Sequence, residues 1–248
     1  MTRRMIRALA ALALAALAAL SAVLCSCGDG DSPRPKIEPP DEPIAVANRS
    51  AGTLLDFFAD VAFGSEYGEG ADIVCKWEKR VKYYIKGDAT DEDRELIARL
   101  CERLNEIDGF PGVSEASGEA SADMTVSFIP RDEIRSTFAN ATADCAGMAM
   151  YEWDPETGEI LSARCAIDSA LGADRKNTVC EEFLQSLGPA RDSYMFSESA
   201  FYQGYTLMPF PSETDFAVLR ILYSPRITVG MSRLEALSVA ATLLDWGE

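Results

Sequence analysis

Two apolar runs, Ala146 to Trp153 and Glu159 to Ile167, flank Asp154-Pro155-Glu156-Thr157-Gly158, and no other feature narrows the fold of this chain as much. Aspartate, proline and glycine in so short a span make a turn, and apolar runs on both sides make it the loop of a hairpin. Upstream, Arg80 to Lys86 reads as a strand, with Val81, Tyr83 and Ile85 on one face, and Met124 to Ile129 alternates in the same way. Between those strands, Leu96, Ile97, Leu100, Leu104 and Ile107 share one helical face. Thr90 and Asp93 open that helix as a capping box with Asp in place of Glu, and Gly109 and Pro111 close it. Leu54, Leu55, Phe57, Phe58, Val61 and Ala62 predict a shorter amphipathic helix ahead of all of these. The order strand, long helix, strand, hairpin, helix predicts an α+β or mixed α/β domain built on one sheet.

The N-terminus has its own logic. Arg3, Arg4 and Arg7 precede an apolar Ala/Leu-rich run from Ala8 to Leu24, the pattern of an export signal. The run ends Leu24-Cys25-Ser26-Cys27-Gly28, which resembles a bacterial lipobox with Cys27 as the lipidated residue. Cys25 fits that frame poorly, because bulky Leu24 would occupy the small-residue position. An uncleaved membrane anchor is the competing reading, and the run is short for the ~20 residues a spanning helix needs. Residues 28–48 carry five prolines and no apolar periodicity, as a tether would. The expected organisation is a lipoprotein signal peptide over 1–26, a flexible acidic tether over 27–48, and one domain over 49–248. The expected location is the bacterial cell envelope, outside the cytoplasm, held to the membrane through Cys27.

The formal charge of the whole chain is −17, and cleavage before Cys27 would remove three arginines more. So acidic a surface excludes nucleic acid as an electrostatic partner, since phosphate backbones are bound by cationic patches. Histidine is absent from the entire chain. A Ser/His/Asp triad is therefore impossible, and a cysteine nucleophile would lack its usual base. Five cysteines fall in the expected domain: Cys75, Cys101, Cys145, Cys165 and Cys180. Disulfides persist in exported proteins, and the two hairpin strands suggest Cys145 with Cys165 as a pair. The odd count leaves at least one thiol unpaired.

Val179, Cys180, Phe183, Leu184 and Leu187 fall on one face of a helix, with Glu181, Glu182, Gln185 and Ser186 on the other. Taken alone, this is an ordinary amphipathic helix with a solvated side. Its spacing, Glu181-Glu182-x-x-Gln185-x-x-Gly188, resembles the His-Glu-x-x-His-x-x-Gly helix of metzincin-like zinc peptidases with both metal-binding histidines replaced. The resemblance implies a zincin-like α+β domain, with Glu181 and Gln185 at ligand positions and Glu182 at the general-base position. Arg191, beside Asp192, falls where a third ligand is expected. A broader resemblance is to a bacterial exported family, domain-of-unknown-function family 2927, similar to degenerate relatives of those peptidases. It rests on the same helix, on Asp192-Ser193, and on Asp215-x-x-x-Leu219-Arg220-x-Leu222-Tyr223-x-Pro225-Arg226 followed by Gly230-Met231. It covers residues 72–237. A histidine often precedes the paired glutamates in that family; here the residue is Cys180.

Two functional expectations follow. One is a non-enzymatic binding or assembly protein without a cofactor or metal, whose partner belongs to the envelope or cell wall. Its contact surface would draw on Glu181, Gln185, Asp192 and the aromatics Tyr194, Phe201 and Tyr202. Those aromatics could equally be core beneath the helix. The alternative is a hydrolase in which Glu181, Glu182, Gln185 and Asp192 hold calcium or another hard divalent cation, with Glu182 as general base. In the tail motif, Asp215 is expected to cap a helix, with Arg220 and Arg226 in structural salt bridges.

Overall fold

The structure, a computed structural model, describes residues 42–64 and 72–247. The proposed signal peptide, Cys27 and most of the tether lie outside these residues. The domain begins before its expected boundary at residue 49. Ile44 forms a bridge with Leu244, its N–H donating to Leu243 O at 2.7 Å, and Ile44 and Val46 pack on the core.

A five-stranded sheet organises the fold, in the order β2-β1-β3-β5-β4. The strands are β1 Val81–Gly87, β2 Val113–Glu115, β3 Met124–Ile129, β4 Gly147–Trp153 and β5 Ile160–Asp168. β1 runs parallel to β2 and β3, and β3 parallel to β5, while β4 pairs antiparallel with β5 as an edge strand. The helices are α1 Ala51–Val61, α2 Asp91–Asn105, α3 Arg131–Thr137, α4 Arg175–Gln185, α5 Glu213–Leu222 and α6 Arg233–Ala241. The described residues thus form a single mixed α/β domain, and the predicted hairpin, long helix and capping box at Thr90 and Asp93 are all present.

One face of the sheet carries the main core. Val81, Tyr83 and Ile85 of β1 and Ala163, Cys165 and Ile167 of β5 meet the apolar sides of α2 and α4, with Tyr83 against Phe183 at 5.6 Å between ring centres. The other face has only a small cluster of Ile134, Phe138, Cys145, Met148 and Ala166. These opposite faces overturn the proposed Cys145–Cys165 disulfide. Cys165 points into the main core while Cys145 belongs to the second cluster, and the register sets Ala149 opposite Cys165. Cys145 is four residues from Ala149, roughly 13 Å along an extended chain, and a disulfide tolerates less than about 7 Å between Cα atoms. All five described cysteines are buried, and no two of them are joined in a disulfide. Digestion after alkylation in denaturant without reductant should therefore yield no Cys145–Cys165 linked peptide by mass spectrometry; such a peptide would contradict the register.

The C-terminal end of α4 is pinned from three directions. Trp77 Nε1 donates to Ser186 O at 3.0 Å, Tyr223 OH donates to Leu187 O at 2.7 Å, and Tyr151 OH donates to Gly188 O at 3.0 Å. Gly188 has a φ of +128°, and a Cβ there would lie 2.6 Å from Cys75 O, so a side chain at that position is excluded twice over. Tyr223 and its neighbours in the tail motif therefore act structurally, by fixing where α4 ends. Arg220 pairs with Glu213 at 3.4 Å as expected. Arg226 instead donates to the Thr242 hydroxyl at 2.8 Å, because α6 returns beside it.

Candidate functional site

The polar side of α4 is not the solvated face its sequence suggests. Glu182, Gln185 and Ser186 are buried, and of the four only Glu181 is half-exposed. Tertiary neighbours cause the difference. β4 lies directly on Glu182 and Thr178: a Cβ on Gly147 would come within 2.5 Å of Glu182 Oε1 and 2.6 Å of Thr178 Cγ2. Only glycine allows the edge strand to approach so closely.

The segment after α4 covers the rest. Gln185 Nε2 donates to Asp192 Oδ1 at 2.6 Å, and Gln203 Nε2 donates to Asp192 Oδ2 at 3.3 Å. Ser193 N–H donates to Phe201 O and Gln203 N–H to Ser193 O, at 2.8 and 3.0 Å. The loop is thereby folded back on itself over the helix. Its aromatics divide by type. Phe201 is fully buried near Phe57 and Phe196 is nearly so, so Phe201 is core and is withdrawn from the proposed contact surface. Tyr194 and Tyr205 are 75% and 73% exposed, and Tyr194 meets Tyr202 edge-on at 6.3 Å.

Between β4, α4 and this loop is a cleft of about 300 Å³, lined by the carboxylates of Asp144, Asp174, Glu181, Glu182 and Asp192 and by Tyr202 and Tyr205. Of the residues proposed from sequence, the structure gathers Glu181, Glu182, Asp192 and Tyr202 here. Gln185 stands behind Asp192 and does not line the cleft, and Tyr194 lies outside it. Asp144, Asp174 and Asn177 were missed. Asp174, Asn177, Thr178 and Glu181 recur at helical spacing and could have been found as a polar stripe. Asp144 arrives from the loop before β4, for which no local pattern exists.

Every cation on α4 or the following loop is directed elsewhere. Arg175 forms a paired contact with Asp93 at 2.7 and 2.8 Å, Lys176 faces Glu92 at 3.4 Å, and Arg191 reaches Asp60 at 3.1 Å. Among the described residues, no lysine or arginine lines the cleft.

Zinc does not fit this arrangement. The positions expected to ligate it are Glu181, Gln185 and Arg191, of which Gln185 is engaged with Asp192 and Arg191 with Asp60. Among the described residues no three His, Cys, Asp or Glu side chains converge as a metal site. A thiolate at Cys180 is equally disfavoured: burial pushes its pKa up to about 12, with Asp215 adding to the rise, so the group is a neutral thiol at physiological pH.

Fold and cleft together define a mixed α/β domain whose carboxylate-lined cleft lies beside the edge strand β4 of its sheet. The chain belongs to the family described as Protein of unknown function (DUF2927), which matches residues 51–242. No curated protein matches it.

Proposed function

We propose that this domain is a non-catalytic binding module on a zincin-like scaffold, carried outside the bacterial cytoplasm on a lipid anchor at Cys27 and engaging an envelope partner through the cleft at Glu182. The observation that carries this reading is the commitment of the expected ligand positions. Gln185 holds Asp192, Arg191 holds Asp60, and the chain has no imidazole with which to replace them. Hydrolytic zinc requires neutral nitrogen or charged oxygen ligands and an open position for water. The placement of Glu182 on a helix that follows β5, facing the antiparallel edge strand, supports the scaffold part of the proposal.

Purified full-length protein should contain no stoichiometric transition metal. Wild type and Glu182→Ala should be equally inactive in a proteolysis assay with added zinc or calcium. Tightly held metal together with hydrolysis abolished in Glu182→Ala would instead establish the hydrolase. The anchor is tested separately: labelled fatty acid should be incorporated into the wild type and not into Cys27→Ala.

A further inference from the structure

We infer that the cleft is a carbohydrate site, taking an uncharged pyranose ring that stacks on Tyr205 and hydrogen-bonds to the polar side chains around it. The inference rests on the reading of the domain as a binding module with an envelope partner, and names the chemical class of its ligand.

A sugar ring carries hydroxyls around its rim and C–H bonds on its faces. It is bound where a flat ring lies beside groups that both donate and accept, and this cleft offers the two together. Tyr202 and Tyr205 line it from the loop after α4. Tyr202 is held in place. It meets Tyr194 edge-on at 6.3 Å, and its ring lies so close to Gly204 that a Cβ there would come within 2.5 Å of Cε1 and 2.9 Å of Cζ. Glycine at that position lets the phenol fold back on its own loop. Tyr205 is 73% exposed, and it and Tyr194 are the most exposed aromatic side chains among the described residues. Each leaves apolar ring area in water that a C–H face would cover.

The rest of the lining supplies the polar half. Thr178 on α4, Gln203 and Thr206 on the loop, and the carboxylates of Asp144 and Asp174 all border the cleft. A hydroxyl is at once donor and acceptor, and this set answers both needs: threonine and glutamine do either, and carboxylates accept. No uncompensated charge is required. A carboxylate has about four lone-pair sites, so one that already holds a partner within the protein still accepts from a neutral hydroxyl, in a bond strengthened by its charge. A divalent metal instead needs several oxygens converging on one point at ~2.0–2.6 Å, and no three acidic side chains do so among the described residues. At about 300 Å³ the cleft stands at the small end of ligand sites, which run from ~300 to ~1,000 Å³. That suits a short sugar better than an extended chain.

The test titrates the full-length protein with N,N′-diacetylchitobiose, with cellobiose and with a blocked Ala-Gln-Ala peptide, following binding by isothermal titration and by the proton shifts of the ligand. At least one disaccharide should bind with a Kd of about 1 mM or below, and its C–H protons should move upfield under the ring current of a stacked tyrosine. Tyr205→Ala should weaken binding about tenfold without moving the thermal midpoint, since the residue is exposed. Tyr205→Phe should hold it within about threefold, because the stacking ring is kept. Tighter binding of the first disaccharide assigns the site to acetamido sugars, and of the second to unmodified hexoses. No binding of either, binding unchanged in Tyr205→Ala, or equal binding of the peptide would each overturn the inference. Failure here, with the protein still inactive and metal-free, would dismiss only the sugar. Metal-dependent hydrolysis would dismiss the binding module itself.

Discussion

Replacing Asp93 with alanine is expected to lower the free energy of unfolding by about 3–5 kcal/mol, the range for removing one partner of a buried ion pair. Asp93 is 3% exposed and does two jobs. It closes the capping box of α2, accepting from Thr90 N and Oγ1 at 2.7 and 2.8 Å. It also receives both arms of Arg175, whose guanidinium lies over Phe128 at 5.0 Å. Without Asp93 that part-buried charge keeps hydrogen bonds only to carbonyls, the nearer being Ser169 O at 2.8 Å. Because Arg175 begins α4, the damage should reach the cleft as lost order in Asp174 and Asn177. Burial acts to raise the Asp93 pKa, but Arg175 and Thr90 outweigh it and hold the value below the ordinary 3.8. A depressed carboxyl pKa stabilises the fold above the unfolded value, and that contribution is lost as pH falls through the folded one. The cost of Asp93→Ala should accordingly be full at neutral pH and shrink below about pH 3.8. Urea unfolding of both proteins at neutral and acid pH measures this; a cost that grows on acidification would contradict the assignment.

Asp215→Ala should cost about 3 kcal/mol, with the opposite dependence on pH. Its carboxyl is fully buried at the start of α5 and accepts from Ser199 Oγ, from Ala200 N at 3.1 Å, and from Ser212 N and Oγ at 2.7 and 2.8 Å. The Ser212 bonds are a capping box, worth ~1 kcal/mol by itself. Those to Ser199 and Ala200 tie the loop that covers α4 to the body of the protein. Burial is the dominant influence and lifts the pKa of Asp215 from 3.8 despite four opposing hydrogen bonds. A raised pKa contributes stability that is complete below the unfolded value and lost as pH climbs through the folded one. The penalty for Asp215→Ala should be greater near pH 4 than at neutral pH, where the wild type already bears the cost of an ionised buried carboxyl. Increased exchange of amide protons in residues 193–203 would show that the loop has come loose. Unchanged exchange there would show that Asp215 serves only α5.

Elements whose cause is local were readable before the fold was known. The turn at Pro155, the alternation of Met124 to Ile129, and the box at Thr90 and Asp93 each depend on residues a few positions apart, and each formed where expected. The helix bearing Glu182 was legible too, but its environment was not. Wheel arithmetic separates apolar from polar sides and is silent on what will lie against the polar one. Gly147 carries no side chain to announce that β4 comes to rest on Glu182, and nothing near Asp144 places it opposite Asp174. The cysteines fail for a related reason: hairpin membership brings Cys145 and Cys165 into neighbouring segments, whereas register and face decide whether two sulfurs can meet.

What the sequence determined unaided was the order of elements, the family, the missing imidazoles and the export-like N-terminus, since each follows from residue identity and short-range spacing. Only tertiary structure decided that the polar side of α4 is buried, that Phe201 is core while Tyr205 faces solvent, and that Arg175, Lys176 and Arg191 all turn from the cleft. Those outcomes are set by which distant partner offers each charge or ring the better exchange for water, and spacing along the chain carries no record of that competition.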